Sequence, residues 1–329
     1  MRPRRTGPSV AVMDAQADTI APVIAAFAPS KSSREPIEFG IAASQVTGAP
    51  LIVVHVHRGG PLVSWFGGDV SDSQGDDTRF IENLRKDFDR THVKGRIEVV
   101  HDRSIGGGLL KAIEEFGPQL MVLGSSTRGK LGHVLLSGTA ERVIHDATCP
   151  VAVVPHGYER PENGVQTVGA AFSVSDEGRE ALEAAVTMAR RAGVKLRAIT
   201  VLEGKVEQQT SGLMAEQHRE SDSFQAANAR HRMGAEAALK QAIAELAPDL
   251  DVDIDVLAQE PGEALIAASR HVDLLVMGSR ARGPKKAVVL GSVSRQVVGG
   301  AACPVLVLPR GASEMANRLA SSVQARGPA

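Results

Sequence analysis

From about residue 22 the chain alternates short continuous apolar runs with longer stretches in which apolar residues recur every three or four positions. Short continuous runs of aliphatic residues mark strands buried on both faces, and the recurrence near 3.6 residues marks helices. In the first half the pattern predicts strands near 22–27, 50–56, 96–101, 119–123 and 150–154. In the second half it predicts strands at Thr167–Phe172, Leu196–Leu202, Val252–Leu257, Val272–Met277 and Pro304–Leu308. Ser175 opens a helix that carries Leu182, Val186 and Ala189 on one face and stops at Gly193. A long Ala/Glu/Gln-rich helical region ends before Pro248, Gly262–His271 reads as a short helix, and another begins near Ser292. The first helix of the first half is placed at Ser32, with Glu35 three residues on in capping-box spacing and Pro36 in or just past the first turn. Strands alternating with helices in this way imply an α/β fold of two tandem doubly wound, Rossmann-like, five-stranded parallel sheets with flanking helices.

The two halves are copies of one unit. Leu120-Met-Val-Leu-Gly-Ser-Ser-Thr-Arg-Gly129 returns as Leu274-Leu-Val-Met-Gly-Ser-Arg-Ala-Arg-Gly283, and Cys149-Pro-Val-Ala-Val-Val-Pro155 returns as Cys303-Pro-Val-Leu-Val-Leu-Pro309. Gly124 pairs with Gly278 and Cys149 with Cys303, both 154 residues apart. Upstream, Val23–Phe27 pairs with Val168–Phe172 at an offset of 145, so the second copy carries about nine extra residues, placed in the polar stretch Gly204–Arg232. The organisation read from this is an N-terminal extension (1–20), a first repeat (21–156), a Pro/Gly/charge-rich linker (157–166), a second repeat (167–310) and a tail (311–329). Gly59–Asp77, with five Gly and several Asp, reads as a mobile loop.

Composition narrows the function classes. The 37 Lys+Arg and 38 Asp+Glu leave a net charge of −1, and aromatics make up 3%. That removes both the phosphate-neutralising charge and the stacking platform of a nucleic-acid binder. No apolar run approaches the roughly 18 residues of a membrane span, and Arg2, Arg4 and Arg5 precede Asp14 and Asp18 rather than a signal-peptide core. The two cysteines exclude a disulfide scaffold and fit a reducing cytoplasm. Val10-Ala-Val-Met13 followed by Asp14 mimics a strand–carboxylate pair but lies too far from the Ser32 helix to align.

These motifs, in order and twice over, resemble the universal stress protein family. The residues that carry the resemblance are Val-Met-Gly-Ser-Arg before a loop, then Leu290-Gly-Ser-Val-Ser294, then Ala302-Cys-Pro-Val-Leu-Val-Leu308, with Val-Leu-Gly-Ser-Ser and Cys-Pro-Val-Ala-Val-Val in the first repeat. The likeness spans about residues 22–310 and implies the doubly wound fold. It also implies a regulator of stress survival and dormancy rather than a metabolic enzyme, with weak ATPase or autophosphorylation at Ser292 the most that catalysis would amount to. The cofactor implied is ATP or AMP, with Mg possible alongside ATP. The family's phosphate motif is Gly, two residues, Gly, nine residues, Gly, then Ser or Thr. Its glycines let backbone N–H groups approach phosphate oxygens, and its last Gly-Ser opens a helix whose positive end faces the anion.

Carried over, the second-repeat site would comprise Ser173, Val201, Met277, Gly278, Gly283, Gly291, Ser292, Val293 and Ser294, with adenine near Val201 and Met277 and phosphates against Gly283, Gly291, Ser292 and Ser294. Ligand binding would order the loop from Arg280 to Leu290. The first-repeat site would comprise Val56, Leu123, Gly124, Gly129, Gly138 and Thr139. The match is incomplete. The family's nucleoside-contacting Asp is replaced by Ala28 and Ser173, its second Gly by Thr127 and Ala281, and the third Gly of the first repeat by Ser137. The second repeat keeps more of the cradle, and the alternative left open is a degenerate tandem that binds no nucleotide and acts as a dimeric interaction scaffold.

Other motifs count for less. Gly124-Ser-Ser-Thr-Arg-Gly-Lys130 nears a P-loop but has Leu131 where the magnesium-binding hydroxyl belongs. Gly106-Gly-Gly108 lacks dinucleotide-fingerprint spacing and is expected only to loosen a helix start. His55 and His57 share a strand face without further ligands, so no metal is assigned. Two arrangements of the fifth strands, Val151–Val154 and Val305–Leu308, are open: antiparallel pairing within one chain, or a homodimer through strand-5 edges.

Overall fold

The computed structural model describes residues 20–27, 34–58, 74–125, 138–202, 222–279 and 290–309. The first repeat runs β1 (Val23–Phe27), α1 (Glu35–Thr47), β2 (Leu51–Arg58), α2 (Gln74–Thr91), β3 (Gly95–Asp102), α3 (Ile105–Phe116), β4 (Leu120–Gly124), α4 (Gly138–Asp146) and β5 (Val151–Val154). The second runs β6 (Thr167–Phe172), α5 (Asp176–Ala192), β7 (Lys195–Val201), α6 (Asp222–Leu246), β8 (Val252–Leu257), α7 (Pro261–Ala268), a 3-10 turn (Ser269–His271), β9 (Leu274–Gly278), α8 (Ser292–Gly300) and β10 (Val305–Leu308).

All ten strands belong to one sheet, in the order β3-β2-β1-β4-β5-β10-β9-β6-β7-β8. Pairing is parallel within each half and antiparallel only at the centre, where Val305 faces Val153, Leu306 faces Ala152 and Val307 faces Val151. The two expected sheets are therefore one. Of the two arrangements left open for the fifth strands, the structure shows the antiparallel pairing within one chain rather than a homodimer through strand-5 edges, and those edges satisfy each other's backbone groups. The sheet's outer edges are β3 and β8.

Side chains alternate across the sheet. Val23, Ala25, Leu51, Ala152, Leu306 and Leu196 point into a core closed by α1, α2, α5 and α6. Ile24, Ile52, Val151, Val305, Leu275 and Ile199 point into a second core closed by α3, α4, α7 and α8. Each core draws on both repeats. The linker is stitched down as well: Gly157 N donates to Glu35 Oε1 (3.0 Å), His156 Nδ1 lies 2.9 Å from the same carboxylate, and the Tyr158 ring meets Phe39 edge-on at 6.0 Å. Among the described residues no helix is long and apolar enough to cross a membrane.

Local chemistry explains most boundaries. Ser175, extended at φ −153°, accepts from Gly178 N at 3.1 Å and caps α5, and Gly193 closes it in the left-handed region at φ 64°. The first helix departs from expectation. It begins at Glu35 with Arg34 as an N-cap that offers no side-chain hydrogen bond, and Pro36 sits within its first turn, where a missing N–H costs nothing. The expected capping box between Glu35 and Ser32 falls on Ser32, which lies outside the described residues. The Glu35 carboxylate is taken by the linker. Of the expected loop Gly59–Asp77, residues 74–77 are the start of α2 and the rest lie outside the described residues. Of Gly204–Arg232, where the extra residues of the second repeat were placed, 204–221 also lie outside the described residues and 222–232 belong to α6. Gly106–Gly108 does more than loosen a helix. A Cβ at Gly108 would lie 2.5 Å from Val56 Cγ1 and one at Gly107 2.6 Å from Asp102 Oδ1, so the run lets α3 sit down on β2 and β3.

Cys149 and Cys303 are free and buried, each against a proline that starts a closing strand. Burial pushes both thiols up to about 12, far from the thiolate form. A thiol reagent at pH 8 is therefore expected to label neither in the native chain and both in denaturant. The raised values also mean the native state holds protons that the unfolded chain releases, so stability should fall as pH rises from about 9 towards 12. Rapid native labelling at pH 8 would contradict the burial.

Candidate functional site

In each half the chain winds outward from its first strand to the edge, then crosses back to the other side. Neighbours β6 and β9 thus send their following loops to opposite faces, which opens a crevice at their C-terminal ends. A cavity of about 180 Å³ occupies that crevice in the second repeat. Of the residues expected to bind, the structure brings Ser173, Val201, Met277, Gly278, Gly291, Val293 and Ser294 to its wall. Ser292 is the first residue of α8 but does not line it, and Gly283 lies outside the described residues.

The inner wall is apolar. Ile199 and Val201 come from β7, Met277 from β9, and Pro261 and Leu265 from α7. The mouth is hydroxylated: Ser173 Oγ and Ser175 Oγ lie 3.0 Å apart, and Ser279 and Ser294 are buried at 2% and 4% exposure. Two close approaches hold it. A Cβ at Gly178 would collide with the Ser173 carbonyl oxygen, so glycine lets α5 fold back on the β6 turn. A Cβ at Gly278 would lie 2.6 Å from the Glu177 carbonyl oxygen, so glycine at the end of β9 lets α5 press against it.

Three helices start at this cavity, and among the described residues only one lacks both a side-chain cap and an acid in its first turn. The start of α5 has the Ser175 cap and the acids Asp176 and Glu177. The start of α7 has the Glu260 carboxylate, which accepts from Glu263 N at 2.8 Å. The start of α8 has Gly291 as its N-cap, no side-chain hydrogen bond, and no acid in its first turn. Among the described residues no side chain takes its first backbone N–H groups, so these and the positive end of its dipole can serve an external acceptor. Gly291 has φ −65°, which any residue adopts, so glycine is there for access rather than for backbone conformation.

Several of these residues were not singled out from sequence: Ser175 as a wall residue, Glu177, Gly178, Pro261, Leu265 and Ser279. Pro261 and Leu265 lie on a helix whose place over β7 is a tertiary fact, but the 154-residue match of Gly108 with Gly262 was a readable hint that both helices start in close packing, Gly108 against Val56 and Gly262 against Gln296.

The first repeat assembles less. Val56 lies under Gly108, Leu123 is buried, Gly124 ends β4, and Gly138 and Thr139 are the first residues of α4. Gly129, Ala28, Thr127 and Ser137, like Ala281 of the second repeat, lie outside the described residues. The start of α4 differs from that of α8 in carrying Glu141 in its first turn. His55 Nδ1 lies 3.3 Å from the Phe27 carbonyl oxygen, and the His57 ring stands edge-on to His101 at 5.3 Å. Among the described residues no three His, Cys, Asp or Glu side chains cluster as a metal site.

A family model described as the universal stress protein family matches residues 20–155 and again 164–309. Universal stress protein Rv2319c of Mycobacterium tuberculosis is 30% identical over 211 residues, covering 63% of this chain and 70% of its own. A universal stress protein of Mycolicibacterium smegmatis is 28% identical over 272 residues, covering 79% and 87%. Among solved structures, the universal stress protein from Archaeoglobus fulgidus aligns over 89% of this chain and all of its own, with TM-score 0.58 and 20% identity. That last likeness concerns the fold alone.

Proposed function

Because this chain belongs to the universal stress protein family, we propose that it is a stress-response regulator whose second repeat binds an adenine nucleotide, ATP or AMP. The observation that carries this is the bare start of α8, opening onto a cavity with an apolar interior. A nucleotide has that same division, with a flat, weakly polar base at one end and an anion at the other. The base would lie among Val201, Met277 and Leu265, the ribose near the Ser173–Ser175 hydroxyl pair, and the phosphates at Gly291, Ser292 and Ser294. At about 180 Å³ the described walls fall below the roughly 300–1,000 Å³ of typical small-molecule sites. They suit the nucleoside end, with the phosphates outward at the mouth. The segment 280–289, between Ser279 and Leu290 in sequence, contains Arg280, Arg282, Lys285 and Lys286 as candidate phosphate counter-ions. Fixing that segment on the phosphates is how occupancy would reach a partner. No nucleophile or general base is assigned, so the role is binding rather than turnover.

A second reading has its own observation. Ser173 stands where the family has a carboxylate, and Glu177 brings a negative charge to the wall. On that reading the chain is an interaction scaffold without nucleotide. Mass spectrometry of small molecules released from freshly purified, heat-denatured protein, with isothermal titration of ATP and AMP alongside, separates the two. The expected result is one adenine nucleotide per chain. Neither co-purified nucleotide nor heat at millimolar ligand would leave the scaffold.

A further inference from the structure

Helices α4 and α8 are copies of each other, and their first turns touch across the centre of the molecule through an ion pair between Glu141 and Arg295. These residues are 154 positions apart, the offset of the repeat, and each is the fourth residue of its helix. In two identical units related by a twofold, such a position would meet its own kind and set like charges together. Here the copies carry opposite signs. The placement matters electrically as well as structurally. A carboxylate in the first turn of a helix opposes a second anion there, and a guanidinium assists one. The arginine is on the helix whose start is bare and faces the cavity, and the glutamate is on the other.

We propose that Glu141, from the first repeat, tunes the anion affinity of the second repeat by neutralising Arg295 at the start of α8. This rests on the nucleotide reading of that site. Both side chains are part-exposed, Glu141 at 39% and Arg295 at 57%, so the pair adds little to stability and its main effect is on the local potential. Neither residue lines the cavity, so each acts on a ligand through charge rather than contact.

The test is titration of ATP and AMP into the full chain and three variants at low salt and again at about 0.5 M salt. Glu141→Gln leaves Arg295 unpaired and should tighten binding by about two- to fivefold at low salt. Arg295→Gln should weaken it by a similar factor. The double variant should return to within about twofold of the wild type, and all differences should shrink at high salt. The opposite signs of the two single variants are decisive, because loss of a merely structural contact would move both the same way. Wild-type binding with equal or same-sign effects overturns this inference and leaves the nucleotide reading standing. No binding of either nucleotide by the wild type overturns both.

Discussion

Leu306→Ala is expected to cost about 2–5 kcal/mol and to lower the stability of both repeats together. Leu306 is 1% exposed on β10, opposite Ala152 of the first repeat and beside Val276 of the second. The core it enters contains Val23, Leu51 and Ala152 from one copy and Val168, Leu196 and Val276 from the other. The void left by truncation is thus bordered by both units and cannot be charged to one. A single cooperative transition is expected in wild type and variant alike, with the midpoint lower in the variant. Calorimetry and circular dichroism should coincide. Two separated transitions, with only the second-repeat step shifted, would show the halves melting independently.

Gly291→Glu should weaken ATP binding by tenfold or more while leaving the melting temperature of the ligand-free chain nearly unchanged. The backbone at Gly291 has an ordinary φ of −65°, so a side chain introduces no backbone strain. The residue lines the cavity at the one helix start that lacks both a cap and an acid, and a glutamate supplies a competing anion there. The new carboxylate would also cap the helix itself, which favours folding while opposing the ligand. Unchanged ATP affinity in a folded variant would place the phosphates elsewhere.

Where local chemistry decides, the sequence is readable. The helix opened by Ser175 and closed by Gly193 forms where cap and left-handed glycine put it, and the start of α4 at Gly138 follows from the repeat. The strand cores stand out because burial on both faces demands unbroken apolar runs. Misreadings come from competition between partners. Glu35 was read only for its place at the start of a helix, whereas a linker more than a hundred positions away also draws on its carboxylate. Gly106–Gly108 was read for backbone freedom, whereas Val56 and Asp102 require the absence of side chains. The same division holds at the cavity. Gly278, Gly291 and Ser294 carry a spacing that can be seen in one dimension. Pro261 and Leu265 enter the wall only because the sheet order places α7 over β7, which no local pattern encodes.

The antiparallel seam between β5 and β10 has a consequence for abundance. If the same surfaces belonged to separate polypeptides, their association would follow mass action and weaken on dilution. Joined by the segment from Pro155 to Gln166, each meets the other at an effective concentration on the order of millimolar, whatever the number of copies around it. The assembled form therefore does not depend on dose. A permanent partner also frees each copy from having to match itself, so either half can change without the other, as the opposite charges at 141 and 295 record.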